Sequence, residues 1–360
     1  MPHLVAAPDK FRGTASAAEA AAAVAVAARA AGWTADEVPM SDGGEGLLEA
    51  VGGTPRHTVV PGPLGAPTRA EWRLLPATVG PASDGADSVG PPAPGAYSHD
   101  RGRTAVIEMS QAAGRALLAE PRGDDPVAAD TAGVGHLLLA ARDAGARRIV
   151  IGCGGSATTD GGWGAVQAVG SASALAGIEL EVASDVTTPF TGAAAIFGPQ
   201  KGASPQQIEQ LTDRLVSLAD RYRRDFGVDV DTIPGAGAAG GLAGGLAALG
   251  ARIVPGFDLV AGMTGLAGRI AAADLVVTGE GHLDPPSFAG KVPGGVLALA
   301  AGRCPVLCIV GDADEDVLRS APAGIEIISL VARFGSERAR KETCALIAEV
   351  TREVLARSCP

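Results

Sequence analysis

An apolar, β-branched run enters a glycine-rich loop, and this pattern is the strongest indication of the fold of this chain. Residues 149–151 form the run, residues 152–162 form the loop, and the helix-compatible residues 163–169 follow. A strand that turns through glycines into a helix is typical of parallel α/β sheets. Its turn presents backbone N–H groups and a positive helix-dipole end to anions such as phosphate. We therefore predict a phosphate-type site whose binding residues are Gly154, Gly155, Ser156, Thr158 and Thr159.

Three interpretations of this loop stay open at the level of the residues. The chain has no GxxxxGK[ST] motif, so a Walker loop is excluded and another kind of phosphate site remains. Gly152, Gly154 and Ala157 fit GxGxx[GA] after a strand, so a dinucleotide site is a competing interpretation. A tight structural turn of small residues is the third interpretation. Asp160 is unexpected in a phosphate site, because a carboxylate and a phosphate are both negatively charged. A metal ion or an acceptor hydroxyl would explain an acid at this position.

Composition favours α/β architecture over a β-sandwich. The chain has 360 residues with 51 glycines and 3% aromatic residues, so its core must use Ala, Val, Leu and Ile around many tight turns. The formal net charge of -11 argues against a general nucleic-acid binder or a membrane-surface binder. No apolar run approaches the length of a membrane span, and we identify no signal peptide.

The cysteines indicate a reducing compartment. They lack CxxC spacing, so we interpret them as reduced, mostly buried thiols and expect a cytoplasmic protein. The cysteines are Cys153, Cys304, Cys308, Cys344 and Cys359.

Strand and helix signals alternate at both ends of the chain. Ser16 and Glu19 form a capping-box pattern that predicts a helix through residue 31. The alternation implies parallel pairing, and five such strands fit a flavodoxin-like sheet. The five strands are predicted at residues 4–7, 37–40, 273–281, 306–310 and 325–331.

The middle of the chain has a different pattern of predicted secondary structure. Residues 58–60 and 70–75 flank a Pro-Gly turn and predict a β-hairpin, whereas residues 79–102 predict a flexible surface loop. Residues 205–226 predict a charged amphipathic helix. We therefore predict a discontinuous α/β domain at residues 1–57 and 256–360, into which a second α/β domain at residues 58–255 is inserted.

Charged side chains follow several predicted strands, where parallel sheets often place functional groups. Asp9, Lys10 and Arg12 follow the first strand and suit a multiply charged oxyanion. Asp42 follows the second strand in a glycine turn, where a carboxylate can hold magnesium or take a proton from a hydroxyl. A later glycine-rich segment also combines acidic and basic side chains, namely Glu280, His282, Asp284 and Lys291.

Each of these clusters, taken alone, also fits exposed charges at a turn or a helix start. Lys201, between Gln200 and Gly202, is equally ambiguous by itself. Taken together, several Asp, Glu and Lys groups on glycine turns at strand ends favour phosphoryl transfer over hydride transfer.

At this point the residues resemble the bacterial type-1 glycerate kinase family, in the family order and over nearly the whole chain. The matching segments are residues 7–13 (APDKFRG), 39–46 (PMSDGGEG), 61–65 (PGPLG), 154–162 (GGSATTDGG), 197–203 (FGPQKGA), 234–242 (PGAGAAGGL), 278–281 (TGEG), Asp284 and 290–293 (GKVP).

The resemblance implies ATP-dependent phosphorylation of D-glycerate with Mg²⁺, most often to 2-phosphoglycerate, although some relatives have been labelled as 3-phosphoglycerate producers. It also implies a flavodoxin-like parallel-sheet domain built from both chain ends. The inserted domain would be restriction-enzyme-like, and the active site would lie in the cleft between the two. The expected partners are glycerate and ATP rather than nucleic acid or membrane, and assembly into a homo-oligomer is left open.

The same resemblance gives each candidate residue a role. Lys10 and Arg12 would hold the substrate carboxylate or the transferring phosphoryl group. Asp42 or Asp185 would be the acid nearest the reacting hydroxyl, and Glu280 with Asp284 would hold magnesium. Further contacts to substrate or phosphate would come from Asp9, Lys201, Lys291 and the loop residues Gly154, Gly155, Ser156, Thr158 and Thr159.

Several positions depart from the family. Lys10 and Arg12 replace the common Ser and Lys, and Thr159, Thr187, Thr188 and His282 replace Asn, Asp, Asn and Arg. A kinase for another small hydroxy acid is therefore a competing hypothesis. An oxidoreductase with a dinucleotide at the 152–157 loop is another, and it would need a ribose carboxylate such as Glu179 about 20 residues on. A sensor that binds ligand without turnover is the third.

Overall fold

A computed structural model describes residues 1–77, 102–118, 125–319 and 321–358. The chain divides into two compact units. Unit 1 comprises Met1–Asp42, Glu49–Val51 and Gly256–Pro360, and unit 2 comprises Gly43–Leu48 and Gly52–Pro255. The predicted surface loop at 79–102, except Gly102, and Cys359 lie outside the described residues.

The strands of the described chain are β1 (His3–Ala6), β2 (Thr34–Glu37), β3 (Thr54–Pro61), β4 (Pro67–Leu75), β5 (Arg103–Glu108), β6 (Ala146–Gly152), β7 (Glu179–Ala183), β8 (Arg252–Val254), β9 (Leu275–Leu283), β10 (Val306–Ala313) and β11 (Ile325–Ser329).

The α-helices are α1 (Ala17–Ala30), α2 (Leu47–Val51), α3 (Ser110–Ala113), α4 (Ala132–Asp143), α5 (Trp163–Val169), α6 (Ala193–Phe197), α7 (Pro205–Phe226), α8 (Leu242–Ala248), α9 (Gly256–Thr264), α10 (Leu266–Ile270), α11 (Val292–Ala300), α12 (Glu315–Arg319), α13 (Leu330–Phe334), α14 (Ser336–Lys341) and α15 (Thr343–Ser358). None of these described helices combines the length and the apolar composition needed to cross a membrane.

Unit 1 contains a five-stranded parallel sheet with the order β2-β1-β9-β10-β11. Numbered along this sheet alone, the order is 2-1-3-4-5, which is the flavodoxin-like order, so the predicted fold of this domain is confirmed. Helix α1 begins at the predicted cap, because Ser16 and Glu19 exchange both hydrogen bonds of a capping box. Its Ala and Val face packs on the sheet beside α15.

Unit 2 contains a six-stranded mixed sheet with the order β3-β4-β5-β6-β7-β8. The predicted β-hairpin is confirmed as the antiparallel pair β3–β4, and β5 to β8 run parallel. Strand β3 begins at Thr54, so this sheet includes residues that the sequence prediction assigned to the first domain. The core packs β-branched strand residues such as Ile149 against Leu137 of α4 and Leu215 of α7.

Strand boundaries in unit 1 differ from the prediction; β11, for example, ends at Ser329 rather than at residue 331, because a helix begins at Leu330. Strand β2 begins at Thr34, and residues 38–40 continue beside β1, where Val38 N donates to Ala6 O at 2.8 Å. Strands β9 and β10 run on to Leu283 and Ala313 instead of ending near residues 281 and 310. Their facing glycines allow this, because a Cβ on Gly311 would lie 2.5 Å from the carbonyl oxygen of Gly281.

Candidate active site

A cavity of about 660 Å³ opens at the carboxyl ends of the unit 1 strands. It lies beside the ends of β1 and β9, where the strand order reverses, and ligands of open α/β sheets bind at such switch points. Its volume lies in the range of small-molecule and cofactor sites. The predicted residues in its lining are Asp9, Lys10, Arg12, Asp42, Glu280, His282, Asp284 and Lys291.

A tight loop after β1 brings Asp9 to the cavity. Asp9 N donates to the carbonyl oxygen of Gly279 at 2.8 Å, so the chain stays beside β9 after β1 ends. Phe11 and Ala15 then exchange two backbone hydrogen bonds that close the loop before α1. Gly281 permits this close approach, because a Cβ there would lie 3.0 Å from Arg12 N.

Glu280 is the most unusual group in the cavity. Glu280 is only 9% exposed, and its Oε1 has no hydrogen-bond partner among the described residues. Burial raises the pKa of Glu280 to about 7, although Ser287 and Lys291 act in the opposite direction. An unpartnered buried carboxylate oxygen is destabilising unless a proton, a metal ion or a ligand donor satisfies it. The group is therefore suited to ligand binding at this point.

Asp9, Lys10 and Asp42 form a second charged group. Lys10 Nζ lies 3.7 Å from Asp9 Oδ1 and 3.9 Å from Asp42 Oδ1. Burial raises the pKa of Asp9 to about 6, the Lys10 charge opposes the shift, and the Asp42 charge adds to it. The ammonium of Lys10 thus faces protein carboxylates, whereas Arg12 lines the cavity with an exposed side chain. Of the two predicted cations, Arg12 is the better placed to meet an anionic substrate.

Asp284 has a structural role as well as a place in the cavity. Its Oδ1 accepts hydrogen bonds from Ser287 N at 3.0 Å and Ser287 Oγ at 2.8 Å, which caps the following 3₁₀ turn. Lys291 Nζ lies 3.7 Å from the same oxygen. His282 is paired with Asp314 at the cavity, because its Nε2 lies 3.0 Å from Asp314 Oδ1, and both side chains are exposed.

The acidic side chains of the cavity bear on whether it can hold a magnesium ion. No group of three or more His, Cys, Asp or Glu in the described part of the chain could hold a metal ion. Magnesium needs only one or two carboxylates when water and phosphate oxygens complete its shell. Glu280 and Asp284 fit that requirement, because Glu280 offers an unpartnered oxygen and the Asp284 charge acts on Glu280.

The glycine loop of unit 2 does not form the predicted helix-end anion site. Helix α5 begins only at Trp163, and the carboxylate of Asp160 occupies its start. Asp160 accepts hydrogen bonds from Gly162 N at 3.1 Å and Gly164 N at 3.0 Å. The carboxylate of Asp160 therefore takes the place that a bound anion would have at the helix N-terminus. Asp160 therefore requires neither a metal ion nor an acceptor hydroxyl. The 152–157 loop opens no helix, which removes the geometry of a dinucleotide fingerprint.

The same loop instead surrounds the buried ammonium of Lys201. Its Nζ donates to Thr158 O, to Ser156 Oγ at 3.3 Å and to Thr159 Oγ1 at 3.5 Å. Lys201 is 5% exposed, and burial lowers its pKa to about 8. All three hydrogen-bond acceptors are neutral, and the carboxylate whose charge acts on the ammonium is that of Asp160, which opposes the fall in the Lys201 pKa. A buried ammonium with neutral acceptors is suited to an anionic ligand.

Arg115 is a second cation at this loop, and sequence reasoning missed it. Its backbone N donates to Gly155 O at 2.9 Å, and its charge lowers the pKa of Lys201. No local motif marks Arg115, because only the packing of residues 113–115 along the glycine loop places it there. Thr131 was missed for the same reason, although its hydroxyl donates to Asp160 Oδ2 at 2.7 Å.

The predicted site residues are thus divided between the two units. Asp185 follows β7 in unit 2 with an exposed side chain, whereas Asp42 belongs to unit 1. The predicted residues in unit 1 are Asp9, Lys10, Arg12, Asp42, Glu280, Asp284 and Lys291. Those in unit 2 are Gly154, Gly155, Ser156, Thr158, Thr159, Asp185 and Lys201.

Comparisons with known proteins agree with these features. The sequence model of the glycerate kinase family matches residues 4–174 and 171–358. The chain is 37% identical to glycerate 2-kinase of Escherichia coli K12 over 92% of this chain and 91% of that protein. It is 35% identical to glycerate kinase of Halalkalibacterium halodurans over 98% and 97% of the two chains.

A solved structure gives the same result for the fold. The crystal structure of a Salmonella typhimurium LT2 protein, provisionally named glycerate kinase 2, matches with a TM-score of 0.78 and 34% identity. The match covers 99% of this chain and 98% of that one. With the flavodoxin-like sheet and its acid-and-base cavity, these matches show that the chain belongs to the glycerate kinase family.

Proposed function

We propose that this protein transfers the terminal phosphoryl group of ATP to D-glycerate and forms 2-phosphoglycerate. The observation that carries the proposal is the unit 1 cavity, where the unpartnered oxygen of Glu280 lies among acids and cations at a topological switch point. The name of the Escherichia coli relative, glycerate 2-kinase, supports the choice of substrate and product. The predicted location of the active site between the two domains stays a prediction.

The chemistry of phosphoryl transfer matches these residues. Such enzymes act mainly by positioning the reactants and by stabilising the charge on the phosphate oxygens. Arg12 and Lys291, which line the cavity, bind anionic oxygens of the substrates. Asp42 accepts the proton of the attacking hydroxyl, and Asp185 stays the second candidate for that role. When bound, Mg²⁺ neutralises phosphate oxygens, and Glu280 with Asp284 are the residues that would hold it.

The unit 2 loop contributes a second anion site in this proposal. Lys201, Ser156, Thr158 and Thr159 bind a carboxylate or phosphate group of one substrate, with Arg115 beside them. The buried ammonium is the group that attracts the anion, and the hydroxyls orient it.

The test is an ADP-release assay with ATP and Mg²⁺ and four acceptors, namely D-glycerate, L-glycerate, glycolate and tartronate. We expect D-glycerate to give the highest kcat/KM. Phosphorus NMR of the product then distinguishes phosphate on the 2-hydroxyl from phosphate on the 3-hydroxyl. Folded protein that releases no ADP with any acceptor would remove the kinase proposal.

The second candidate function is phosphorylation of another small hydroxy acid. Lys10, Arg12 and His282 depart from the common family residues, and all three line the cavity. A higher kcat/KM with glycolate or tartronate than with D-glycerate would favour this candidate. The cytoplasmic location and the homo-oligomer stay predictions.

A further inference from the structure

We propose that Lys10 is an internal counter-ion of Asp9 and Asp42 that keeps a divalent cation from binding between these carboxylates. The distances from Lys10 Nζ to the two carboxylate oxygens, 3.7 and 3.9 Å, are nearly equal. The ammonium therefore lies between the two acids rather than on either one. The Lys10 side chain is 16% exposed, so it is held in this place rather than extended into water.

The two carboxylates would otherwise be the start of a cation site. Asp9 is fixed on both sides, because its N donates to Gly279 O and its Oδ1 accepts from Lys10 N at 2.7 Å. Two carboxylate oxygens that face one point, with water for the remaining positions, are enough for Mg²⁺ or Mn²⁺. A protein ammonium at that point excludes the ion, both by occupying the space and by its like charge.

A consequence for the reaction, which rests on the proposed function, is that the kinase requires one divalent cation rather than two. Glu280 and Asp284 are the residues that would hold that single cation. Lys10 then partly offsets the negative charge of Asp9 and Asp42, and its own charge is not available to the substrate carboxylate. Arg12 binds the substrate carboxylate instead.

The experiment is a Mn²⁺ titration of the full chain without nucleotide or acceptor, followed by electron paramagnetic resonance of the free ion. We expect K10S and K10M to bind one Mn²⁺ at least about tenfold more tightly than the unmodified protein, because a like charge has been removed from the site. K10R is the matched control that keeps the charge, and its Mn²⁺ binding is expected to equal that of the unmodified protein. The double variant K10S/D42N is expected to lose the gain.

Two results would overturn the proposal. One is folded K10S and K10M, with circular dichroism like the unmodified protein, that gain no Mn²⁺ site. The other is unmodified protein that already binds Mn²⁺ in a way that D42N abolishes. Since neither measurement uses ATP or glycerate, the outcome is independent of whether the ADP-release assay supports the kinase proposal.

Discussion

The hydroxyl of Thr131 donates a hydrogen bond to Asp160 Oδ2 at 2.7 Å, and the same hydroxyl accepts one from Ala165 N at 3.0 Å. The pair joins the start of α4 to the start of α5 inside unit 2. It also explains the acid in the middle of the glycine loop. The carboxylate is a buried structural acceptor for four donors rather than a ligand for a metal ion.

The first prediction concerns the stability that Asp160 provides. D160N replaces an acceptor oxygen by an NH₂ group that faces other donors, so we expect a loss of about 1–3 kcal/mol in the free energy of unfolding. Urea denaturation measures it. The exposed Asp213 on α7 is the matched control, and D213N should change the free energy by less than about 0.5 kcal/mol. Unchanged stability of D160N would contradict the structural role.

The second prediction concerns Asp42 as the proton acceptor. D42N keeps the size of the side chain but removes its charge, so kcat should fall about 10²–10⁴-fold while the melting temperature barely changes. Asp312 lines the same cavity without an assigned role, and D312N is the control for a general loss of negative charge. Near-normal kcat with a clearly lowered melting temperature would make Asp42 a turn residue instead.

The third prediction concerns the pH dependence of stability at Glu280. Because burial raises the pKa of this carboxyl from 4.5 to about 7 in the folded state, the free energy of unfolding falls as the pH rises between these two values, and the full loss is present above pH 7. Below about pH 4 the carboxyl is protonated in both states and the effect vanishes. E280Q should therefore raise the free energy of unfolding at pH 8, by an amount on the order of 2–3 kcal/mol, and leave it unchanged at pH 4.

Thermal or urea unfolding at the two pH values measures this difference. Glu45 has an exposed side chain, so E45Q is the control and should show no such dependence on pH. Equal effects of E280Q at pH 4 and pH 8 would mean that the carboxyl has an ordinary pKa. The same variant should lose activity, since the amide cannot replace the unpartnered carboxylate oxygen.

The fourth prediction concerns Lys201 and anion binding. Burial lowers the pKa of its ammonium to about 8, so the charge is present at pH 7 and is lost as the pH rises through 8. We expect the KM of one substrate to rise between pH 7 and pH 9.5, and K201M to have that raised KM at both values. Measuring KM separately for ATP and for glycerate identifies which anion the loop holds. If neither KM depends on pH or on K201M, the loop does not bind substrate.

Local sequence signals predicted the features that depend on short-range chemistry. The Ser16–Glu19 capping box, the β3–β4 hairpin and helix α7 are each held by hydrogen bonds and apolar periodicity within one segment. The alternation of strands and helices predicted the parallel sheet. The family motifs placed Asp9, Asp42, Glu280 and Lys291 together, and all four line one cavity.

The fold class, the family and the identity of the chemical groups could therefore be predicted from the sequence alone. The state of each group depends on the three-dimensional fold, because burial, charge pairing and hydrogen-bond partners come from segments far apart in the chain. Lys10 meets Asp42 only because β1 and β2 are neighbours, and Lys201 is buried only because the 198–203 turn packs on the 156–159 loop. No sequence motif encodes those distances. The distances nevertheless decide whether a lysine binds substrate or acts as a counter-ion, and whether a carboxylate binds a ligand or caps a helix.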